Sequence, residues 1–84
     1  MYQILLERHA EKDLKSLDKA IYKRVKRSLL SLKENPRPIG SKKLRDHGNE
    51  WRIRIGDWRI LYEIDDKSKL VRIFRVKHRS KAYQ

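Results

Sequence analysis

The chain has 84 residues, with 23 Lys and Arg against 11 Asp and Glu, a formal net charge of +12 and a pI near 10.3. That length fits one domain, residues 1–84, burying roughly 60–65% of its extendable surface. Absence of cysteine excludes disulfides, thiolate catalysis and thiolate metal ligation, and suits a reducing compartment. The start, MYQILLERHAEKD, becomes charged by Glu7 and holds neither a signal-peptide core nor a membrane span, so cytoplasmic placement is expected. The charge predicts salt-dependent attraction to polyanions, nucleic acid first among them.

Tyr2 to Glu7 predicts a short first strand, apolar on both faces in its middle and therefore expected at the centre of a sheet. Ala10, Leu14, Leu17, Ile21, Val25, Leu29 and Leu32 then recur at steps of three and four, the stripe of an amphipathic helix. A break near Ser16-Leu17, with Asp18 as the next N-cap, divides the stripe into a helical hairpin. Asn35-Pro36-Arg37-Pro38 stops it, because proline lacks the donor a continuing helix needs and disfavours helical geometry before it. Lys42 to Arg45 suits a short edge strand or extended loop, and His47-Gly48-Asn49 is turn chemistry.

Glu50 to Ile64, EWRIRIGDWRILYEI, alternates strictly on both sides of Gly56-Asp57. Gly56 supplies the positive φ of a type II′ turn, so the two arms form a hairpin. Arg54 then pairs with Arg59, Ile53 with Ile60, Arg52 with Leu61 and Trp51 with Tyr62. The Trp, Ile and Tyr side chains share one face, and Arg52, Arg54 and Arg59 share the other. Like charges directly opposite destabilise an antiparallel pair, within about 0.2–1 kcal/mol, and an anion on that face would relieve them. After a turn at Asp65-Asp66-Lys67-Ser68, Leu70 to Val76 is the last strand, followed by a basic tail, KHRSKAYQ. The fold class is α+β: a strand, two helices, then three or four antiparallel strands, with helices on one face of a twisted sheet and the arginine face open.

Guanidinium groups make planar, often bidentate contacts to phosphate and stay charged at any working pH. Glu50, Asp57 and Glu63 are placed to neutralise the three arginines instead, so the hairpin alone leaves a phosphate site and a solvated face equally open. The tail adds His78, Arg79 and Tyr83, a proton carrier, an anion stabiliser and a stacking ring, the tools of a ribonuclease. Taken singly, His78 also suits a solvated position and Tyr83 the packing of the chain end. His9, His47 and His78 are scattered, no H-E-x-x-H or EF-hand spacing occurs, and neither a phosphate-binding Gly-rich loop nor a G-x-S-x-G elbow is found. No metal and no cofactor are expected.

With K-K-L-R at Lys42 to Arg45, W-R-I-R at Trp51 to Arg54, W-R-I-L-Y at Trp58 to Tyr62 and V-K-H-R-S-K-A-Y at Val76 to Tyr83, the chain resembles, over its whole length, the RelE/ParE superfamily of bacterial and archaeal toxins, and within it the RelE-like mRNA endonucleases. The resemblance implies a toxin that enters the ribosomal A site and cuts mRNA without a metal. The ribose 2′-OH attacks the adjacent phosphate, leaving a 2′,3′-cyclic phosphate and a 5′-OH, and translation stops. Implied partners are a cognate RelB-like antitoxin, mRNA and the ribosome with its rRNA, with operator DNA as a candidate target of the toxin–antitoxin complex. Arg52 and Arg54 match basic positions that activate the 2′-OH and bind backbone, Arg59 and Arg79 match arginines that stabilise the transition-state phosphate, and Tyr83 matches the stacking tyrosine. Lys42, Lys43, Arg45, Lys77 and Lys81 are further candidate RNA or ribosome contacts.

RelE-like enzymes often carry lysine at the positions of Arg52 and Arg54, and arginine is a poor general base. These two are therefore expected to act by charge and orientation, with His78 or an RNA or ribosomal group taking the proton. Two other readings keep the sequence pattern: a ParE-like toxin that poisons DNA gyrase by protein contact alone, and a basic nucleic-acid-binding module without toxicity.

Overall fold

The computed structural model describes residues 1–44 and 48–80. The apolar stripe divides where expected. Helix α1 (Arg8–Lys15) ends at Ser16, and helix α2 (Lys19–Glu34) begins after Asp18, whose carboxylate accepts from the Ile21 N–H at 2.9 Å. Asn35 terminates α2 in extended geometry, and its side chain accepts from the Arg37 N–H at 3.0 Å. The strands are β1 (Gln3–Leu6), β2 (Lys42–Lys43), β3 (Glu50–Ile55), β4 (Trp58–Asp65) and β5 (Leu70–His78). They form one sheet in the order β1-β5-β4-β3-β2, with β1 parallel to β5 and the other pairs antiparallel.

Two expectations are corrected. Strand β1 lies at an edge of the sheet, not its centre: Ile4 and Leu6 align with buried Val71 and Ile73 on the helix side, while Leu5 stands 45% exposed on the other. The longer alternating segments β4 and β5 take the centre because more of their side chains can be buried there. The strand count after the helices holds at four, the upper bound expected, since Lys42 and Lys43 pair with Arg52 and Trp51 as a two-residue edge. The last strand also continues two residues beyond Val76, because Lys77 and His78 extend the ladder opposite Arg59 and Trp58.

Ile55, Ile60, Tyr62, Ile64, Val71, Ile73 and Val76 from the sheet meet Ala10, Val25, Leu29 and Leu32 from the helices in one core. Burial of a Val, Leu or Ile side chain contributes about 1.5–3 kcal/mol, so this single layer dominates stability. Tyr62 is fully buried, yet its hydroxyl donates to the Pro36 carbonyl at 2.8 Å. Burial pushes its pKa up to about 12. At the opposite end of the sheet from the Gly56 turn, Asp66 accepts from Tyr2 at 2.6 Å and from both Arg37 Nη atoms at 3.2 and 2.7 Å. The Arg37 hydrogen bond chiefly, with that of Tyr2, lowers its pKa to about 2. This cluster ties the chain start and the segment after α2 to the β4–β5 turn.

Candidate nucleic-acid interface

The β3–β4 hairpin has the register read from its sequence: Ile55 opposite Trp58, Arg54 opposite Arg59, Ile53 opposite Ile60, Arg52 opposite Leu61 and Trp51 opposite Tyr62. Gly56 has φ +58°, and Lys69 is the one non-glycine residue with positive φ among the described residues, so Asp57 does not share it. That combination fits a type II′ turn. Antiparallel partners share a face, so β5 extends the pattern across the sheet. Arg54, Arg59 and Lys77 form one row on the side away from the helices, directly opposite one another on three adjacent strands.

Two residues further along, about 6.8 Å at the usual rise of a strand, Lys42 and Arg52 lie opposite each other. Beyond them the face turns acidic, with Glu50 opposite Glu63 and Glu63 opposite Arg72. Arg72 donates to Glu63 at 2.9 Å and lies 3.5 Å from Glu7. Charge is thus segregated along the strands, cationic toward the Gly56 turn. Glu63 is held by Arg72, and Asp57 lies 3.8 Å from Arg79. Among the described residues, Arg52, Arg54, Arg59 and Lys77 have no carboxylate at ion-pair distance.

Burial within this face differs from expectation. Arg54 is exposed, but Arg52 and Arg59 retain only 9% and 7% of their surface. Arg59 folds back along the hairpin, its Nη1 donating to the carbonyls of Trp58 at 3.1 Å and Gly56 at 3.4 Å, while its buried Nε has no partner. A guanidinium under the surface acts on an approaching anion mainly through its field, which a low-dielectric setting strengthens. Direct contact falls to Arg54 and to half-buried Lys77.

The Gly56 turn collects more cations. The Arg79 N–H donates to the Asp57 carbonyl at 2.7 Å, which fixes the start of the tail beside the turn. Arg24, from the second turn of α2, comes so close that a Cβ on Gly56 would stand 3.2 Å from its guanidinium. No local signal marks Arg24; only the packing of α2 brings it there. His78 does not join the arginine row. It is opposite Trp58, so it lies on the helix side, its ring edge-on to the indole with centroids 5.3 Å apart.

Asp13 on α1 was likewise silent in the sequence. Strand β1 pairs with β5 only as far as Ile73, and beyond that point the Asp13 carboxylate takes the place of a strand neighbour. It accepts from the Val76 N–H at 2.8 Å and from Arg75 Nε and Nη2 at 2.8 and 3.1 Å. The hydrogen bond to Asp13 holds the Arg75 guanidinium above its ordinary pKa. The irregularity between Leu61 and Tyr62 in the β4–β5 register lies beside this clamp. Among the sequence candidates, Arg45, Lys81 and Tyr83 lie outside the described residues, as does His47. No cluster of metal-ligating side chains occurs among the described residues, and none of their helices is long and apolar enough to cross a membrane.

A toxin chain of the RelBE2 complex from Mycobacterium tuberculosis is 32% identical, with 93% of this chain and 98% of that one covered and a TM-score of 0.82. The archaeal RelE–RelB complex from Pyrococcus horikoshii OT3 gives 31% identity, 96% and 98% coverage and a TM-score of 0.84. The isolated E. coli RelE toxin, at 24% identity, covers 99% of this chain and 92% of its own with a TM-score of 0.83, and shares the fold. Residues 4–83 match the sequence model of the family described as ParE toxin of type II toxin–antitoxin system, parDE. From Ile4 to beyond the last described residue, then, the chain belongs to the ParE toxin family, within the RelE/ParE superfamily of toxins.

Proposed function

We propose that this toxin is a ribosome-dependent, metal-independent endoribonuclease that cuts mRNA in the ribosomal A site and is neutralised by a RelB-like antitoxin. The observation that carries the reading is the row Arg54–Arg59–Lys77, three cations opposite one another with no carboxylate at ion-pair distance among the described residues. Such a row is unfavourable for the protein alone and favourable once a phosphate lies over it.

In the reaction, the ribose 2′-oxygen bonds to the adjacent phosphorus and the bond to the 5′-oxygen breaks. The 2′ proton passes to a base, and the leaving 5′-oxygen gains one. Arg54 and Lys77 bind the non-bridging oxygens, Arg59 stabilises the added charge from below, and Arg79 reaches the same centre from the turn. Exposed Lys42 holds the neighbouring phosphate with the field of buried Arg52 beneath it, and Tyr83 stacks on a base. Preorganised donors of this kind typically contribute about 10²–10³-fold each. Arginine holds its proton too tightly to serve as base, and His78 lies across the sheet from the row. We therefore assign proton abstraction to the RNA or to a ribosomal group.

Primer extension on a defined mRNA, with and without translating ribosomes and in chelator, tests this. Cuts that require ribosomes and survive chelation are expected. A folded protein that arrests growth yet produces no cuts would instead support the second reading, a ParE-like toxin directed at gyrase.

A further inference from the structure

The helix side of the sheet end carries a cleft of about 450 Å³ that the cationic row does not explain. Asp13, Ser16, Trp58, Arg75, His78 and Ser80 contribute to its walls. Trp58 and His78 are set at 87°, so a flat ring entering the corner can stack on one and meet the other edge-on.

The polar group in this corner has a defined sense. The Ser80 backbone N–H lies 3.3 Å from His78 Nδ1, and Ser80 Oγ lies 3.1 Å from the same atom. A backbone N–H only donates, so Nδ1 accepts, and the neutral imidazole carries its proton on Nε2. His78 is thereby set as a hydrogen-bond donor. The Asp13 carboxylate is already shared by Arg75 and the Val76 N–H, so it does not repel an incoming acceptor as a free anion would.

Adjacent residues on a strand point to opposite faces. Trp58 and His78 face this cleft, their neighbours Arg59 and Lys77 belong to the cationic row, and Lys77 also lines the cleft and so joins the two. One nucleotide crossing the strand ends can place its phosphate on the row side and its base in the cleft. We propose that the Trp58–His78 cleft is a nucleobase subsite of the toxin, taking an unpaired base of the RNA, with His78 as a recognition residue that donates from Nε2. Unpaired bases are the usual objects of sequence-specific RNA recognition, through stacking and edge hydrogen bonds. This rests on the nuclease reading for its substrate but not for its test.

The experiment is an NMR titration of the whole protein in chelator with each of the four nucleoside 5′-monophosphates, using ribose 5-phosphate as the base-free control. Saturable shifts of the Trp58 indole and the His78 and Ser80 amides, stronger for one or two bases and absent with ribose 5-phosphate, are the expected result. His78→Ala should weaken binding about tenfold, the equivalent of one hydrogen bond of about 1.4 kcal/mol, and His78→Gln, which keeps an amide donor, should recover part of it. Equal shifts with ribose 5-phosphate, or shifts confined to Arg54 and Lys77, would overturn the subsite. So would ribosome-dependent cleavage whose base preference is the same in wild type, His78→Ala and His78→Gln. Base binding without any cleavage would keep the subsite and remove the nuclease reading.

Discussion

Replacing Arg54 by Gln should make the protein more stable and less active at once. Arg54 stands directly opposite Arg59, with Lys77 opposite Arg59 on its other side. Residues flanking a two-residue turn form a hydrogen-bonded pair, so the next pair, Arg54 and Arg59, is of the non-hydrogen-bonded kind with closer side chains. Relief of one such like-charge pair lies within about 0.2–1 kcal/mol. In a domain of this size, half a kilocalorie raises Tm by about 2–4 °C. Salt should erase the gain, because the Debye length shrinks from about 30 Å at 0.01 M to about 3 Å at 1 M. Thermal melts of wild type and Arg54→Gln at both salt concentrations measure it. Lys67→Gln, the same charge change in an exposed turn, controls for general repulsion in a chain of net charge +12. The same variant should flatten the salt dependence of single-stranded RNA affinity by about 0.7 in log–log slope, one phosphate contact. A variant that melts lower than wild type at low salt, or gains no more than Lys67→Gln, refutes the reasoning from the row.

Other perturbations have signs fixed by the structure. Lys77→Ala should lower ribosome-dependent cleavage by about 10²–10³-fold with the fold intact, read by primer extension and circular dichroism; undiminished cleavage removes Lys77 from the site. Tyr62→Phe leaves the buried Pro36 carbonyl unpaired and should cost about 1–3 kcal/mol at neutral pH in urea denaturation. Because the folded-state pKa of Tyr62 is raised from 10.0 to about 12, its contribution is complete below pH 10 and lost as pH rises toward 12. Wild type should therefore lose more stability over that window than Tyr62→Phe, by about 3 kcal/mol. Asp13→Ala uncaps the Val76 N–H and leaves Arg75 unpaired, with an expected loss of about 1–3 kcal/mol and faster amide exchange at Val76. Gly56→Ala forces a side chain into φ +58° and toward Arg24, for about 1–2 kcal/mol, measurable as a lower denaturation midpoint.

The sequence by itself determined what depends on near neighbours. The break before α2 follows from Asp18, and the hairpin register from Gly56 and a period of two that admits no slip without reversing both faces. The co-facial arginines come with that register. Tertiary structure decided everything that required a partner distant in the chain. Strand β1 reads as central because Ile4, Leu5 and Leu6 are all apolar, yet its edge position depends on β5, more than sixty residues away. The same holds for the reach of β5: nothing around Lys77 shows that Arg59 will continue the ladder and create a third cation in the row. That extension also sends His78 across the sheet, since adding one residue to a strand alternates the face its side chain meets. Burial of Arg52 and Arg59, the approach of Arg24 to the turn and the Asp13 clamp belong to the same class. Local pattern sets which face a side chain takes, and only the packed sheet sets how deep it lies and what stands beside it.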